Sequence, residues 1–168
     1  TVAFNGGFSA GVYQVFNCTG TGAVTFNWTI CPSEGYPEWW GAKPGLAVDC
    51  LAGIQACLLA LPVTKLHCGD YLVSNTVKMQ LDHRELVGSG SYYNSSNNEV
   101  TRLLVQGATL NTLQVGPDSN PGSINSFPKG MTVRNLYVAR TTAPNIGTIP
   151  VGVLCKYSLE TILYNVRS

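Results

Sequence analysis

The chain has 168 residues, enough for one domain with a real core, and its formal net charge of +1 with only 11% charged residues excludes a basic field for nucleic acid and an acidic tail. A hydrophobic fraction of 45% excludes disorder, while 18 glycines suit an all-β chain of short strands and many turns. No apolar run reaches the roughly 18 residues of a membrane span; the longest, Leu46 to Val63, is broken by Asp49, Gln55 and Pro62.

Along the chain, Val12 to Asn17 and Ala23 to Ile30 flank Thr19-Gly20-Thr21-Gly22, a turn whose glycines can take positive φ, so residues 1–35 are expected to form a β-hairpin lead-in. In its second arm Val24, Phe26, Trp28 and Ile30 alternate with Thr25, Asn27 and Thr29, the period of a half-buried strand. A turn-rich link from Cys31 to Pro37 runs into Glu38-Trp39-Trp40-Gly41-Ala42. The period then changes. Val48, Leu51, Ile54, Leu58 and Leu61 recur at helical spacing, predicting a short amphipathic helix over 48–61, with Asp49 as N-cap or first-turn acid and Pro62 as its stop.

Short β-rich runs follow at 64–67, 71–73, 76–79, 85–87, 101–105, 109–115, 131–138, 151–157 and 161–166, with a long loop over 116–130. Val133-Arg134-Asn135-Leu136 and Leu163-Tyr164-Asn165-Val166 echo one another, as stacking of Asn165 on Asn135 would require. Two-residue hairpin turns are scarce after residue 62, which disfavours a meander sandwich and favours strands joined by bends and loops. The chain begins without Met, shows no signal peptide and stops in mid-pattern at Tyr164-Asn165-Val166-Arg167-Ser168, as a segment of a longer protein would.

Six cysteines form no C-x-x-C, and His67 and His83 lie far apart, so no metal or other cofactor is expected. Cys50 and Cys57 share a helix face at about 10 Å of rise, too far to bridge. Cys18 and Cys31 flank the hairpin out of register; buried free thiols are favoured over disulfides. The sequons at Asn17, Asn27 and Asn94 are read as chance in an Asn-, Ser- and Thr-rich chain.

Four blocks occur in order between residues 36 and 91: Tyr36-Pro-Glu-Trp-Trp-Gly-Ala-Lys, Asp49-Cys-Leu-Ala-Gly-Ile-Gln-Ala, Gly69-Asp-Tyr-Leu-Val-Ser and Leu86-Val-Gly-Ser-Gly. Together they resemble the start of the pectate-lyase-like domain of bacteriophage tailspikes and related surface-polysaccharide depolymerases. The resemblance implies an all-β, right-handed single-stranded parallel β-helix beginning at residue 36, with the 48–61 helix capping its first coil. Leu51, Ile54 and Leu58 would then face the interior, with Trp39 and Trp40 beside the incoming chain. Two departures stand out: Lys43-Pro44-Gly45 replaces the usual acidic turn, and Val48-Asp49 the usual Thr-Asp pair.

The same resemblance implies a homotrimeric virion-surface or extracellular appendage that binds, and by hydrolase or lyase chemistry degrades, host polysaccharide. A non-catalytic glycan-binding or structural fibre is the alternative. Paired carboxylates would carry hydrolysis, and the family places them beyond this segment, so no catalytic residue transfers. Within the segment Tyr92 and Tyr93, on a polar loop, are the candidate glycan contacts. Asp82, His83, Arg84 and Glu85 read more simply as a solvated turn, Tyr36, Trp39 and Trp40 as core, His67 as a hydrogen-bonded strand residue, and Asp118 and Glu160 as isolated acids.

Overall fold

The computed structural model describes residues 1–18, 22–27, 33–45, 47–91, 100–141 and 151–168. Strands β1 (Val2–Phe4), β2 (Val24–Phe26) and β3 (Glu34–Gly35) precede a 3₁₀ turn at Pro37–Trp40 and helix α1 (Leu51–Ala60). Then come β4 (Val63–Lys65), β5 (Gly69–Val73), β6 (Val77–Met79), β7 (Glu85–Val87), β8 (Thr101–Val105), β9 (Leu113–Val115), β10 (Thr132–Arg140), β11 (Val153–Cys155) and β12 (Ile162–Arg167). Every strand pair among the described residues is parallel.

This arrangement corrects the expected right-handed single-stranded β-helix. Six strands in the order β3-β4-β7-β10-β8-β5 curl into one half-barrel, with β12 as a seventh strand on β10, beside a separate three-stranded sheet β11-β9-β6. The physical reason lies in β10. Its first part pairs with β7 through Thr132 to Arg134 and its second with β8 through Tyr137 to Arg140, so it joins what would otherwise be two faces. Between them Asn135 has φ 56°, a left-handed conformation that asparagine tolerates. One such residue slips the period of two: Val133 is buried before the bend, Leu136 and Val138 after it. The strand bends without exposing its apolar face. Asn165, at φ 50°, repeats the device on β12, and its Nδ2 donates to Asn135 Oδ1 at 3.0 Å, the stacking that the sequence echo predicts.

The lead-in also departs from expectation. β2 runs parallel to β1, in the register Val2–Val24 to Phe4–Phe26, and residues 12–17 form no strand. Residues 19–21 of the expected Thr19–Gly22 turn and the positions of Trp28 and Ile30 lie outside the described residues. Aromatic packing decides the pairing: Phe4 stacks on Phe26 at 5.3 Å between ring centroids, Phe8 meets Trp39 edge-on at 5.0 Å, and Phe16 meets Trp40 at 5.0 Å.

Helix α1 is shorter than the 48–61 span and apolar on two sides instead of along one stripe. Ile54 and Leu58 enter the sheet core with Tyr71, Leu86, Leu103 and Val133, whereas Cys57, Ala60 and Leu61 enter the aromatic cluster. Leu51 packs against the sheet core only in part. The helix and the segment before it cover strand edges that have no strand partner. Gln55 makes two bonds to the backbone of Lys78 in β6, Nε2 to the carbonyl at 2.8 Å and Oε1 from the N–H at 2.7 Å. Gly45 and Cys50 N–H groups donate to the carbonyls of Asp70 and Leu72 in β5, each at 2.7 Å. Unpaired edge groups would otherwise template association.

Asp49 precedes the N-cap, which Cys50 occupies, and its Oδ1 accepts from the N–H groups of Leu51 at 3.0 Å and Ser74 at 3.1 Å. Burial raises its pKa, but the Ser74 hydroxyl and these two N–H bonds outweigh that and hold it below the ordinary value. The contribution is therefore complete above the usual carboxylate range and lost as pH falls through the lower folded-state pKa. Asp49→Ala should cost about 1 kcal/mol near pH 7, by analogy with cap removal. In urea titrations its deficit against the parent should shrink below about pH 4; a deficit unchanged in acid would count against the carboxylate.

The cysteines are only partly the buried thiols expected. Among the described residues Cys50 and Cys57 are buried, while Cys18, Cys68 and Cys155 are exposed, all five as free thiols. Burial pushes the Cys57 thiol up to about 12 and raises Cys50 and Cys155 less far. A thiol reagent should label Cys18 and Cys68 in the native protein and reach Cys50 and Cys57 only after unfolding, as peptide mapping would show.

Candidate functional site

The site grows out of the Tyr36-Pro37-Glu38-Trp39-Trp40-Gly41 run. Proline at the first helical position and Gly41 at φ 86° bracket one 3₁₀ turn, closed by Gly41 N–H on the Glu38 carbonyl at 3.0 Å. Trp39 then ties the N-terminal segment across it. Its indole N–H donates to the Gly11 carbonyl at 2.9 Å, and its own carbonyl accepts from Val15 at 3.0 Å and Phe16 at 2.7 Å. Residues 12–14 are thereby held over the turn.

Beneath them lies a cavity of about 430 Å³, lined by Val12, Tyr13, Gln14, Glu38, Ala42, Lys43, Pro44 and His67. Glu38 is its unusual member, a carboxylate only 5% exposed. Its Oε1 accepts the Tyr71 hydroxyl at 2.5 Å, and that hydroxyl accepts the His67 backbone N–H at 2.9 Å. His67 Nδ1 lies 3.5 Å from the same Oε1, and the Tyr36 ring lies over the imidazole at 4.7 Å. Glu38 Oε2 and His67 Nδ1 are buried with no hydrogen-bond partner among the described residues. Native structures satisfy most buried polar atoms, so such a pair asks for an explanation. Burial and the bond to Glu38 raise the Tyr71 pKa far above its ordinary value, so the phenol remains a donor.

The walls suit a small polar ligand with an apolar face. Val12, Ala42 and Pro44 supply aliphatic surface, and Tyr13, 62% exposed, offers a ring in water. Lys43 is exposed, so its stem can line the cavity while the ammonium stays hydrated.

The residues singled out from sequence fare differently. Tyr92, Tyr93 and Asn94 lie outside the described residues. Just before them, Ser91 Oγ donates to Asn165 Oδ1 at 2.5 Å, placing the start of that loop at the asparagine corner. Trp39 is buried and Tyr36 and Trp40 pack beside it, as core reading requires. His67 is not in a strand; it sits between β4 and β5, with its ring half-exposed.

The 82–85 cluster separates. Asp82 Oδ1 accepts the Lys129 N–H at 3.1 Å, Glu85 pairs across strands with Arg134, and His83 packs beside Gly130. Arg84 is not solvated at all: it is buried and donates to the Leu59 carbonyl at 3.3 Å, near the end of α1. Asp118 is not isolated, since Lys78 lies 2.7 Å from its carboxylate. Glu160 is exposed, at φ 53°. Glu38 and Tyr71 were missed. The available signal was a charged residue inside an otherwise apolar Tyr-Pro-Glu-Trp-Trp run, where a solvated acid would not be expected.

No group of three or more metal-binding side chains converges among the described residues, and no helix there is long and apolar enough to cross a membrane. In comparisons with known proteins, no family model, no curated protein and no solved structure matches the chain.

Proposed function

We propose that the protein belongs to a viral, phage-type tailspike or fibre that recognises host cell-surface polysaccharide, with the cavity at Glu38 as a sugar subsite. The observation that carries this reading is a cavity of about 430 Å³ whose aliphatic and aromatic walls lie beside the Glu38 side chain. The C–H face of a pyranose packs on such walls, and the polar side chains of Gln14 and Lys43 on the same lining can meet its hydroxyls. Two of the four tailspike-like blocks build the site: the first supplies Glu38, Ala42 and Lys43, and the third supplies Tyr71. The trimeric assembly and the virion-surface or extracellular setting belong to the same reading.

Between binding and degradation, this cavity favours binding. Glycoside hydrolysis ordinarily needs two facing carboxyl groups roughly 5–10 Å apart, and Glu38 is the single acid among the described lining residues. Affinity electrophoresis through a panel of bacterial O-antigen and capsule polysaccharides tests the proposal. Retardation by at least one polymer, whose chain length is unchanged after incubation, is the expected result. Free migration through every polymer would refute recognition, and shortened chains would restore the degradative reading.

A further inference from the structure

We propose that Asn5 is a site of spontaneous covalent modification, converting through a cyclic imide to aspartate and isoaspartate in the folded protein. Strand β1 ends at Phe4, whose carbonyl accepts the Asn27 N–H at 2.9 Å. Asn5, Gly6 and Gly7 then lie exposed, and a Cβ built on either glycine would meet nothing within 4 Å. Both ends of this short link are fixed. The Phe4 and Phe8 rings meet edge-on at 5.1 Å between centroids, inside the cluster that holds Phe26 and Trp39. The chain therefore reverses through an open bend anchored on two aromatic rings.

The chemistry needs an asparagine, a following backbone N–H and room for the ring to close. The Gly6 nitrogen attacks the side-chain carbonyl carbon of Asn5. That C–N bond forms as the bond to the amide nitrogen breaks, and ammonia leaves with the Gly6 proton. Water then opens the imide at either carbonyl, giving aspartate or, one carbon longer in the backbone, isoaspartate. Glycine at the second position has no Cβ to crowd the ring and takes the backbone angles that closure needs. Asn5-Gly6 is the one such pair in the chain. Other asparagines differ. Asn120 precedes a proline, which has no N–H to lose. Asn111 Oδ1 accepts the Val151 N–H at 2.9 Å, and Asn165 donates to Asn135 across the corner at 3.0 Å.

Peptide mapping of the whole chain during incubation in mildly alkaline buffer tests this, with isoaspartate read by enzymatic methylation. Conversion at Asn5 should run at least tenfold faster than at Asn111, Asn120, Asn135 or Asn165. A synthetic peptide of residues 1–9 gives the rate without a fold, and the native rate should lie within tenfold of it, because the bend leaves the ring room to close. Gly6→Ala, at a position where a Cβ meets nothing, should melt with the parent and slow conversion at least tenfold. Isoaspartate lengthens a link whose ends are fixed, so that form should melt below Asn5→Asp, which carries the new charge alone. A native rate more than tenfold below the peptide's, a rate unchanged by Gly6→Ala, or equal conversion at another of these asparagines overturns the inference. An isoaspartate form that melts with Asn5→Asp overturns the fixed link. The peptide comparison keeps the test decisive should Gly6→Ala not fold.

Discussion

Replacing Gly116 with alanine should destabilise the protein by about 3–5 kcal/mol, from backbone strain and overpacking together. Gly116 follows β9 at φ 108°, a conformation that side-chain-bearing residues rarely adopt. Its N–H donates to the Met79 carbonyl at 2.7 Å, while Lys156 N–H reaches back to the Val115 carbonyl at 2.8 Å. The glycine is thus held where the strands of the β11-β9-β6 sheet end together. A Cβ built there would stand 1.7 Å from the Lys156 carbonyl oxygen, a backbone atom that cannot swing aside. For a chain of this size the loss should lower the melting temperature by roughly 6–20 °C. Calorimetry should show that drop; a variant melting within about 2 °C of the parent would mean that the corner is not built as described.

The second large effect is expected at Tyr71. Its ring is fully buried in the sheet core, and its hydroxyl is the one hydrogen-bond donor to the Glu38 carboxylate among the described residues. Tyr71→Phe keeps the ring and takes the partner from two groups, Glu38 Oε1 and the His67 N–H, beside an Oε2 that already has none among the described residues. The cost should be about 2–4 kcal/mol, the scale for a hydrogen bond to a buried charge and for the group it leaves unsatisfied. Much of that cost belongs to the lone carboxylate, so adding Glu38→Gln should recover part of it. Chemical denaturation of the two single variants and the double variant gives the coupling directly. Additive losses would show that the hydroxyl and the carboxylate do not act together.

Much of the strand pattern was legible because a parallel strand buried at alternate positions writes that alternation into the chain. Glu85–Val87 and Thr101–Val105 stand where the β-rich runs place them, and β10 extends only two residues past the expected 138. The Asn135–Asn165 stack was readable as an echo because both residues perform the same left-handed bend. That echo did not say that the bend leaves β10 unbroken, so that its two parts pair with β7 and β8 in one curled sheet. The parallel β1–β2 pair was hidden for a different reason. Local turn chemistry argued for a hairpin, whereas in the structure Phe26 of β2 stacks on Phe4 of β1 and meets Trp40, both distant in sequence. At the site, Glu38 looked like part of a turn. Its meaning depends on Tyr71, which lies thirty-three residues away, and on the wall that residues 12–14 provide.

The central claim, that the Glu38 cavity receives a sugar of the host surface, is met most directly by hydrogen–deuterium exchange with and without a polysaccharide that retards the protein. Slower exchange should appear in peptides spanning 11–16, 38–45 and 66–69, with the aromatic cluster around Phe4 and Phe26 unchanged. Protection confined to other segments, with these three unaltered at saturating polysaccharide, would contradict the account.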